Sequence, residues 1–426
     1  MTATWRRAAF LSLLAVLARC VVGDSPISPS FSYGSETVRG VNLGGWLVLE
    51  PWITPSLFDN TGNDAIVDEW TFCQYQDTGT ATSALQNHWN TWITQQDLQD
   101  IAAAGLNHVR IPIGYWAFEV GPGEPYIQGQ LQYLQNAVGW AGDNGLKVIV
   151  DLHGVPGSQN GYDNSGHRMS YPTWQSNSTN VQRTDTVLKQ IASLFANNPQ
   201  VVSMIEPVNE PAGYDGSQML DVVKQYYYDS YGNINRYPFG NAEESNTVLL
   251  LHDAFQTLSY WHGFETPSNW QGVAMDTHIY QVFSNAEVAY SYSQHISAAC
   301  AYGSSLAGFD LWLVVGEWSP APTDCATYLN GRGVGARYDG TYSGGSSYVG
   351  SCTGMTGSAA TFSAAYKTFL RQFWEAQTIA FERGAQGWLQ WAWKTESADE
   401  WSYQAGLANG WIPQNPTNLQ YPNICG

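Results

Sequence analysis

Basic side chains are scarce in this chain. Seventeen Lys and Arg stand against 36 Asp and Glu over 426 residues, a formal charge of −19, and charged residues of either sign make up only 12% of the sequence. Such an acidic excess repels phosphate backbones and anionic lipid surfaces, which argues against nucleic acid or a membrane as partner and favours a neutral substrate. Long apolar runs are lacking as well. The one candidate, Ala8 to Val22, is shorter than the about 20 residues of a membrane span. It follows Arg6 and Arg7 and ends at Gly23-Asp24, the layout of a secretory signal, so residues 1–23 are expected to be removed. Asn418 to Gly426 is polar and offers no hydrophobic tail for a lipid anchor. The expectation is a soluble, secreted monomer, extracellular or in a cell wall. No Pro/Ser-rich linker, internal repeat or break in composition divides residues 24–426, which are read as one domain. No His/Cys/Asp spacing suggests a metal site, and no cofactor is expected.

Cysteine is rare enough to count singly. Cys20 would leave with the signal, so Cys73, Cys300, Cys325, Cys352 and Cys425 would enter an oxidising compartment. Five cannot all pair within one chain. Cys325 and Cys352 lie in one Gly-rich loop, and a Cys300 to Cys425 bridge would tie the last residues to the body; these are the expected pairs, with Cys73 a buried thiol. Sequence alone does not fix the connectivity. Asn177-Ser178-Thr179 is an N-glycosylation sequon in a polar, exposed-looking stretch. Aromatics, by contrast, are abundant: 19 Trp and 25 Tyr. Most should fill a large core, Trp46, Trp388 and Trp393 among them. The rest suit a binding site for sugar rings, whose apolar C–H faces stack on aromatic planes while their hydroxyls need polar partners.

Short apolar runs alternate with helix-period segments. The strand candidates are Val38 to Leu43, Leu106 to Ile111, Lys147 to Leu152, Val201 to Val208, Thr247 to Leu251, Gly272 to Thr277, Leu311 to Val315 and Gly387 to Trp391. Helical stretches include Leu85 to Ala104, Leu131 to Asp143, Gln182 to Ala196 and Phe362 to Arg383. Eight such units predict a (β/α)8 TIM barrel. Polar residues collect where the strands are expected to stop: Arg110 after the second, Asp151 and His153 after the third, Asn209 and Glu210 after the fourth, His278 and Tyr280 after the sixth, Glu317 after the seventh and Trp391 after the eighth. That rim carries the active site of α/β barrels. Two long stretches, Gly154 to Gln182 and Ser319 to Ala359, would sit on it as functional loops.

Two glutamates on this rim stand out, in Val208-Asn209-Glu210-Pro211 and Val315-Gly316-Glu317-Trp318. Facing one another, two carboxyl groups can serve as acid and nucleophile on a glycosidic bond, with an adjacent amide such as Asn209 bonding a sugar hydroxyl. A lone glutamate at a strand end is more often half of a buried ion pair, and Glu206, on the same face but deeper, is read that way. His88, His108, His252 and His262 are read as packing or surface residues.

With these residues in hand, the chain resembles the fungal exo-β-1,3-glucanases of glycoside hydrolase family 5. The likeness runs through Arg39-Gly40-Val41-Asn42-Leu43-Gly44-Gly45-Trp46, Glu50-Pro51-Trp52, Val109-Arg110-Ile111-Pro112-Ile113-Gly114-Tyr115-Trp116, Asp151-Leu152-His153-Gly154, both glutamate motifs and Trp391-Ala392-Trp393-Lys394-Thr395-Glu396. It implies a retaining mechanism with Glu210 as general acid/base and Glu317 as nucleophile. It also implies a terminal-glucose subsite of Arg110, His153, Asn209, His278, Tyr280 and Trp391, with Glu50 on sugar hydroxyls. Tyr162 and Phe283 would grip the next sugar at the mouth, where the family more often has Phe at the first position, and Asp163 is counted with the substrate-binding residues. Pro207 departs from the family's aliphatic residue and suggests a bulge before Asn209.

The mechanism requires Glu210 to start protonated, so its pKa is expected to be raised, and Glu317 to be held ionised by Arg110; a bell-shaped, mildly acidic pH profile follows. An endo-acting family 5 enzyme on β-1,6-glucan, mannan or cellulose would share the pair in an open cleft. A transglycosylase would pass the same intermediate to a sugar, and a non-catalytic sugar-binding protein would have lost a carboxylate.

Overall fold

The computed structural model describes residues 27–240 and 244–426. The expected leader, with Arg6, Arg7 and Cys20, lies outside the described residues. Eight parallel strands close into a barrel in sequence order: β1 (Val38–Asn42), β2 (His108–Gly114), β3 (Lys147–Gly154), β4 (Val202–Glu206), β5 (Val248–His252), β6 (Val273–Ile279), β7 (Trp312–Trp318) and β8 (Gly387–Gln390). All eight expected strands are present, and helices follow them around the outside, which is the (β/α)8 TIM barrel.

The strand ends differ from expectation in an instructive way. β2, β3, β6 and β7 run two or three residues beyond their expected ends, so that His153, His278 and Glu317 lie within strands as Arg110 and Asp151 do. The ladder does not stop at them because their side chains point into the barrel, where alternate residues of every strand meet. β4 ends early, at Glu206. Pro207 has no N–H for the ladder, and it terminates the strand rather than bulging it; the register shift on this edge lies instead between Val148 and Ile149. The expected helix Leu85 to Ala104 is two helices, Thr78–Thr91 and Gln95–Ala103. Thr94 caps the second through Asp97, each side chain bonding the other residue's backbone N–H, and that local box competes with a continuous helix.

Inward-facing residues at the N-terminal end of the strands, Val38, Ile149, Met204, Val248, Leu250, Ala274, Val314 and Leu389, form an apolar cluster closed below by Phe31 and Tyr33. Outward-facing residues such as Val109, Val150, Leu249, Met275 and Val315 pack into the larger core beneath the helices. The lower barrel is therefore filled, and a cavity can open only at the upper end.

Both expected disulfides are present, Cys300 with Cys425 and Cys325 with Cys352, and Cys73 is a free, buried thiol. Burial pushes that thiol's pKa up, which keeps it protonated and inert. By restricting the unfolded chain, each bridge contributes about 3 to 5 kcal/mol.

Candidate active site

A cavity of about 500 Å3 opens at the C-terminal ends of the strands, within the span of roughly 300 to 1,000 Å3 that small-molecule sites occupy. Glu50, Tyr162, Asp163, Glu210, His278, Tyr280, Phe283, Glu317 and Trp391 line it. Arg110, His153 and Asn209, expected to touch sugar, lie one layer below the wall and are buried. Arg110 shows why. Its Nε donates to Glu206 at 2.8 Å, Nη1 to Asn42 at 3.1 Å and Glu317 at 2.8 Å, and Nη2 to Asn209 at 2.7 Å with Asp151 3.2 Å away. Every donor of the guanidinium is spent on the protein, so Arg110 positions Glu317 and Asn209. His153 is likewise held, by Asp151 at 2.6 Å, and stacks on Trp391 with ring centres 5.5 Å apart. Gly44 lets that indole lie close: a Cβ there would come within 2.8 Å of it.

Glu210 and Glu317 meet across His278. Its Nδ1 is 2.8 Å from Glu210 Oε1 and 3.5 Å from Glu317 Oε2. One nitrogen this near both means that the two oxygens are separated by no more than those distances laid end to end, below the about 6.5 to 9.5 Å of inverting glycosidases. Tyr280 donates to Glu317 Oε2 at 2.9 Å and Asn164 to Glu210 Oε2 at 3.1 Å. Glu210 has φ +45°, a left-handed conformation that costs a non-glycine residue about 1 to 3 kcal/mol. The turn is held by Gln159, whose Nε2 donates to the carbonyls of His153 and Asn209. His278 in turn stands with Nε2 3.4 Å from Asp276 Oδ2, and Asp276 accepts from the N–H of Gly316 at 2.7 Å. A side chain at 316 would put its Cβ 2.0 Å from Asp276, so the glycine before Glu317 is what allows this contact.

The proton is distributed differently from expectation. Burial pushes Glu210 up, but its hydrogen bond to His278 and the charges of His278 and His153 outweigh that, and its pKa falls below the ordinary value. For Glu317 burial prevails over the pull of His278 and Arg110, with Glu210 adding to the rise, and its pKa lies above the ordinary value. His278 is buried, which disfavours its charge, yet Glu317, Asp276 and Glu210 together raise it well above an ordinary imidazole. These directions favour a proton on His278, between the carboxylates. The expected raised Glu210 is thus reversed in direction by a basic partner 68 positions away, invisible in the local sequence.

At the far side Trp52 donates to Glu50 Oε2 at 3.0 Å. Burial, with Asp163 and Glu317 nearby, raises Glu50 well above the usual carboxyl range, and burial beside Asp68 pushes Asp163 up to about 7. Each keeps one buried oxygen without a protein partner, Glu50 Oε1 and Asp163 Oδ2. Among the described residues, Glu210, His252 and His278, and Glu206, Asp276 and His278, also lie close enough to share a metal ion. Within these groups Arg110 bonds Glu206, and His252 Nδ1 accepts from the N–H of Ala254 at 2.9 Å.

Residues 73–321 match the family model Cellulase (glycosyl hydrolase family 5). The chain belongs to glycosyl hydrolase family 5. Among its relatives, Probable glucan 1,3-beta-glucosidase A of Aspergillus niger is 49% identical with 97% of each chain covered, and Glucan 1,3-beta-glucosidase of Blumeria graminis is 46% identical over 93% of this chain and 91% of its own. The rutinosidase of Aspergillus niger superposes with a TM-score of 0.70 over 90% of this chain and 99% of that one, at 19% identity, a likeness of fold.

Several wall residues of this family 5 site were not singled out from sequence: Trp52, Asn164, Tyr214, Phe255, Leu329, Asn330, Arg337, Tyr342 and Trp401. Asn164 had a signal, lying two residues from Tyr162 in a loop already marked as long. Tyr214 and Phe255 had none, because their loops became neighbours only through the fold. At the mouth, Tyr162, Phe283, Tyr214 and Phe255 are 40 to 53% exposed, and Tyr214 donates to the hydroxyl of Tyr162 at 2.8 Å. The loop from 319 to 363 supplies Leu329, Asn330, Arg337 and Tyr342 to the wall. It is pinned to the loop after β1: Tyr328 and Arg332 both bond Asp59, and Arg332 also donates to the carbonyls of Asn63 and Ile66.

Proposed function

We propose that this chain is a secreted exo-acting β-1,3-glucosidase that removes glucose from the non-reducing ends of β-1,3-glucan with retention of configuration. The observation that carries the reading is the pair Glu210 and Glu317 bridged by His278 Nδ1 at 2.8 and 3.5 Å; the names of the relatives supply the substrate. Glu317, held by Arg110 and Tyr280, attacks the anomeric carbon and forms the glycosyl-enzyme. Glu210 protonates the departing oxygen. A sugar in the pocket shields Glu210 from solvent, which favours its neutral form, and the proton passes from imidazole to carboxyl along their 2.8 Å hydrogen bond. Once Glu317 is esterified its charge is gone, and Glu210 acts as base toward water. The unpaired oxygens of Glu50 and Asp163 suit sugar hydroxyls at the closed end. The rings of Tyr162 and Phe283 grip the next sugar.

The wall that joins the loop after β7 to the loop after β1 supports exo action, since a bounded pocket takes a chain end in preference to an internal segment. Intermediates that meet a sugar rather than water would give transglycosylation, and β-1,6 linkages are expected as minor substrates. Secretion is supported by two disulfides, and no described helix is long and apolar enough to cross a membrane. Asn177 is exposed at a helix N-cap, open to glycosylation, and the secreted enzyme is expected to act as a monomer. The test is a time course on laminarin: free β-glucose should be the first product. Oligosaccharides ahead of glucose would instead identify the endo-acting alternative.

A further inference from the structure

A second concavity, about 300 Å3, lies on the outer wall of the barrel between the helices Thr78–Thr91, Gln95–Ala103 and Gln130–Asp143, and it shares no residue with the active-site pocket. Tyr133, Asn136 and Trp140 line one side at the i, i+3, i+7 spacing of a single helix face. Trp89 lines the other, its ring 5.8 Å from that of Tyr133. Trp89 is 1% exposed, and its indole N–H has no acceptor in the protein; a buried donor left unmet asks for a partner from elsewhere. Asn136 accepts from Gln132 at 2.9 Å, which leaves its own amide N–H free to donate. Asn90 is complementary: its N–H is spent on the carbonyl of Gln86 at 2.7 Å, and its side-chain oxygen is free to accept.

None of the residues lining this groove carries a charge among those described, which excludes phosphate, carboxylate and cationic ligands as the ones it is built for. Indole and phenol faces beside free donors and acceptors fit a ligand with apolar faces and an edge of hydroxyls. We infer that this groove is a second, non-catalytic sugar-binding site, which holds a neutral β-glucan chain while the active-site pocket works on an end. The inference rests on the glucanase reading for its ligand class and goes beyond it in place and role.

The test uses the full-length chain carrying Glu317→Gln, so that no polymer is consumed, and measures retention on particulate β-1,3-glucan. Adding Trp140→Ala should lower retention about tenfold, a loss of about 1.4 kcal/mol, and Asn136→Ala should lower it less. With Glu317 intact, Trp140→Ala should leave kcat/KM on a small aryl β-glucoside unchanged. Equal retention with and without Trp140 overturns the site, as does retention on cellulose that matches retention on the β-1,3-glucan. Glucose release from laminarin by the unaltered enzyme is scored separately: if it is absent while Trp140 still governs retention, the catalytic reading falls and the groove stands.

Discussion

At the lower end of the barrel the inward positions are Val38, Ile149, Met204, Ala274, Val314 and Leu389. Two or more residues further along the same strands the inward positions are Asn42, Asp151, Glu206, Asp276, Glu317 and Trp391. The same strands carry both layers, Trp391 standing just past the end of β8, and the side chains reverse their character. The lower layer excludes water and gains stability through burial. The upper layer concentrates buried charge around Arg110, an arrangement that is costly to desolvate and contributes little net stability, but that fixes two carboxyl groups against one imidazole. Stability and chemistry are thus separated along the barrel axis by a few ångströms.

Substitutions that trade the two layers' properties test this division. The largest effect belongs to Glu317→Gln, which should reduce glucose release from laminarin to background with the fold intact by circular dichroism; Glu210→Gln should cost about 10²- to 10⁴-fold in kcat, the usual worth of a general acid/base. Next comes Arg110→Met, which strands Glu206, Asp151 and Glu317. It should lower stability by about 3 to 5 kcal/mol in denaturant unfolding and lower kcat as well. Met204→Ala in the lower layer is its counterpart: a loss of about 2 to 5 kcal/mol with kcat/KM at 25 °C unaltered. Equal kinetic damage from Met204→Ala and Arg110→Met would abolish the distinction drawn here.

Titration gives a smaller, sharper reading. Glu317 must be ionised, and its raised pKa puts the acid limb of the activity profile above the ordinary carboxyl value of 4.5. The proton on His278 must be present, and its raised pKa puts the alkaline limb above the ordinary imidazole value of 6.5. His278→Gln should move the alkaline limb toward acid pH, since Glu210 must then hold the proton alone; an unmoved limb in kcat/KM profiles excludes His278 as the carrier. The smallest effect is expected at the rim. Tyr162→Phe keeps the ring and loses only an exposed hydroxyl bond, so KM should shift by less than about threefold, within the few tenths to 1 kcal/mol that such bonds contribute. Tyr162→Ala should raise KM clearly more.

The barrel was legible because its strands are apolar on both faces, and runs such as Lys147 to Leu152 have few other solutions. Strand ends were misplaced where inward-facing polar residues such as His153 and His278 imitate a stop. The disulfides could be read because Cys325 and Cys352 share a loop and Cys425 lies near the terminus. The wall could not. Arg332 reaches the carbonyl of Asn63 from 269 positions away, and no local pattern announces such a bond. The direction of the Glu210 shift could not be read for the same reason: His278, on another strand, sets it.

The bonds from Tyr328 and Arg332 to Asp59, Asn63 and Ile66 also govern traffic. Under the exo action proposed above, the wall they hold would oblige the shortened polymer to withdraw before water could reach an esterified Glu317. On that reading each cleavage would empty the pocket of polymer, and only a hold elsewhere on the molecule, such as the groove of Trp140, would keep the same chain near for the next cycle.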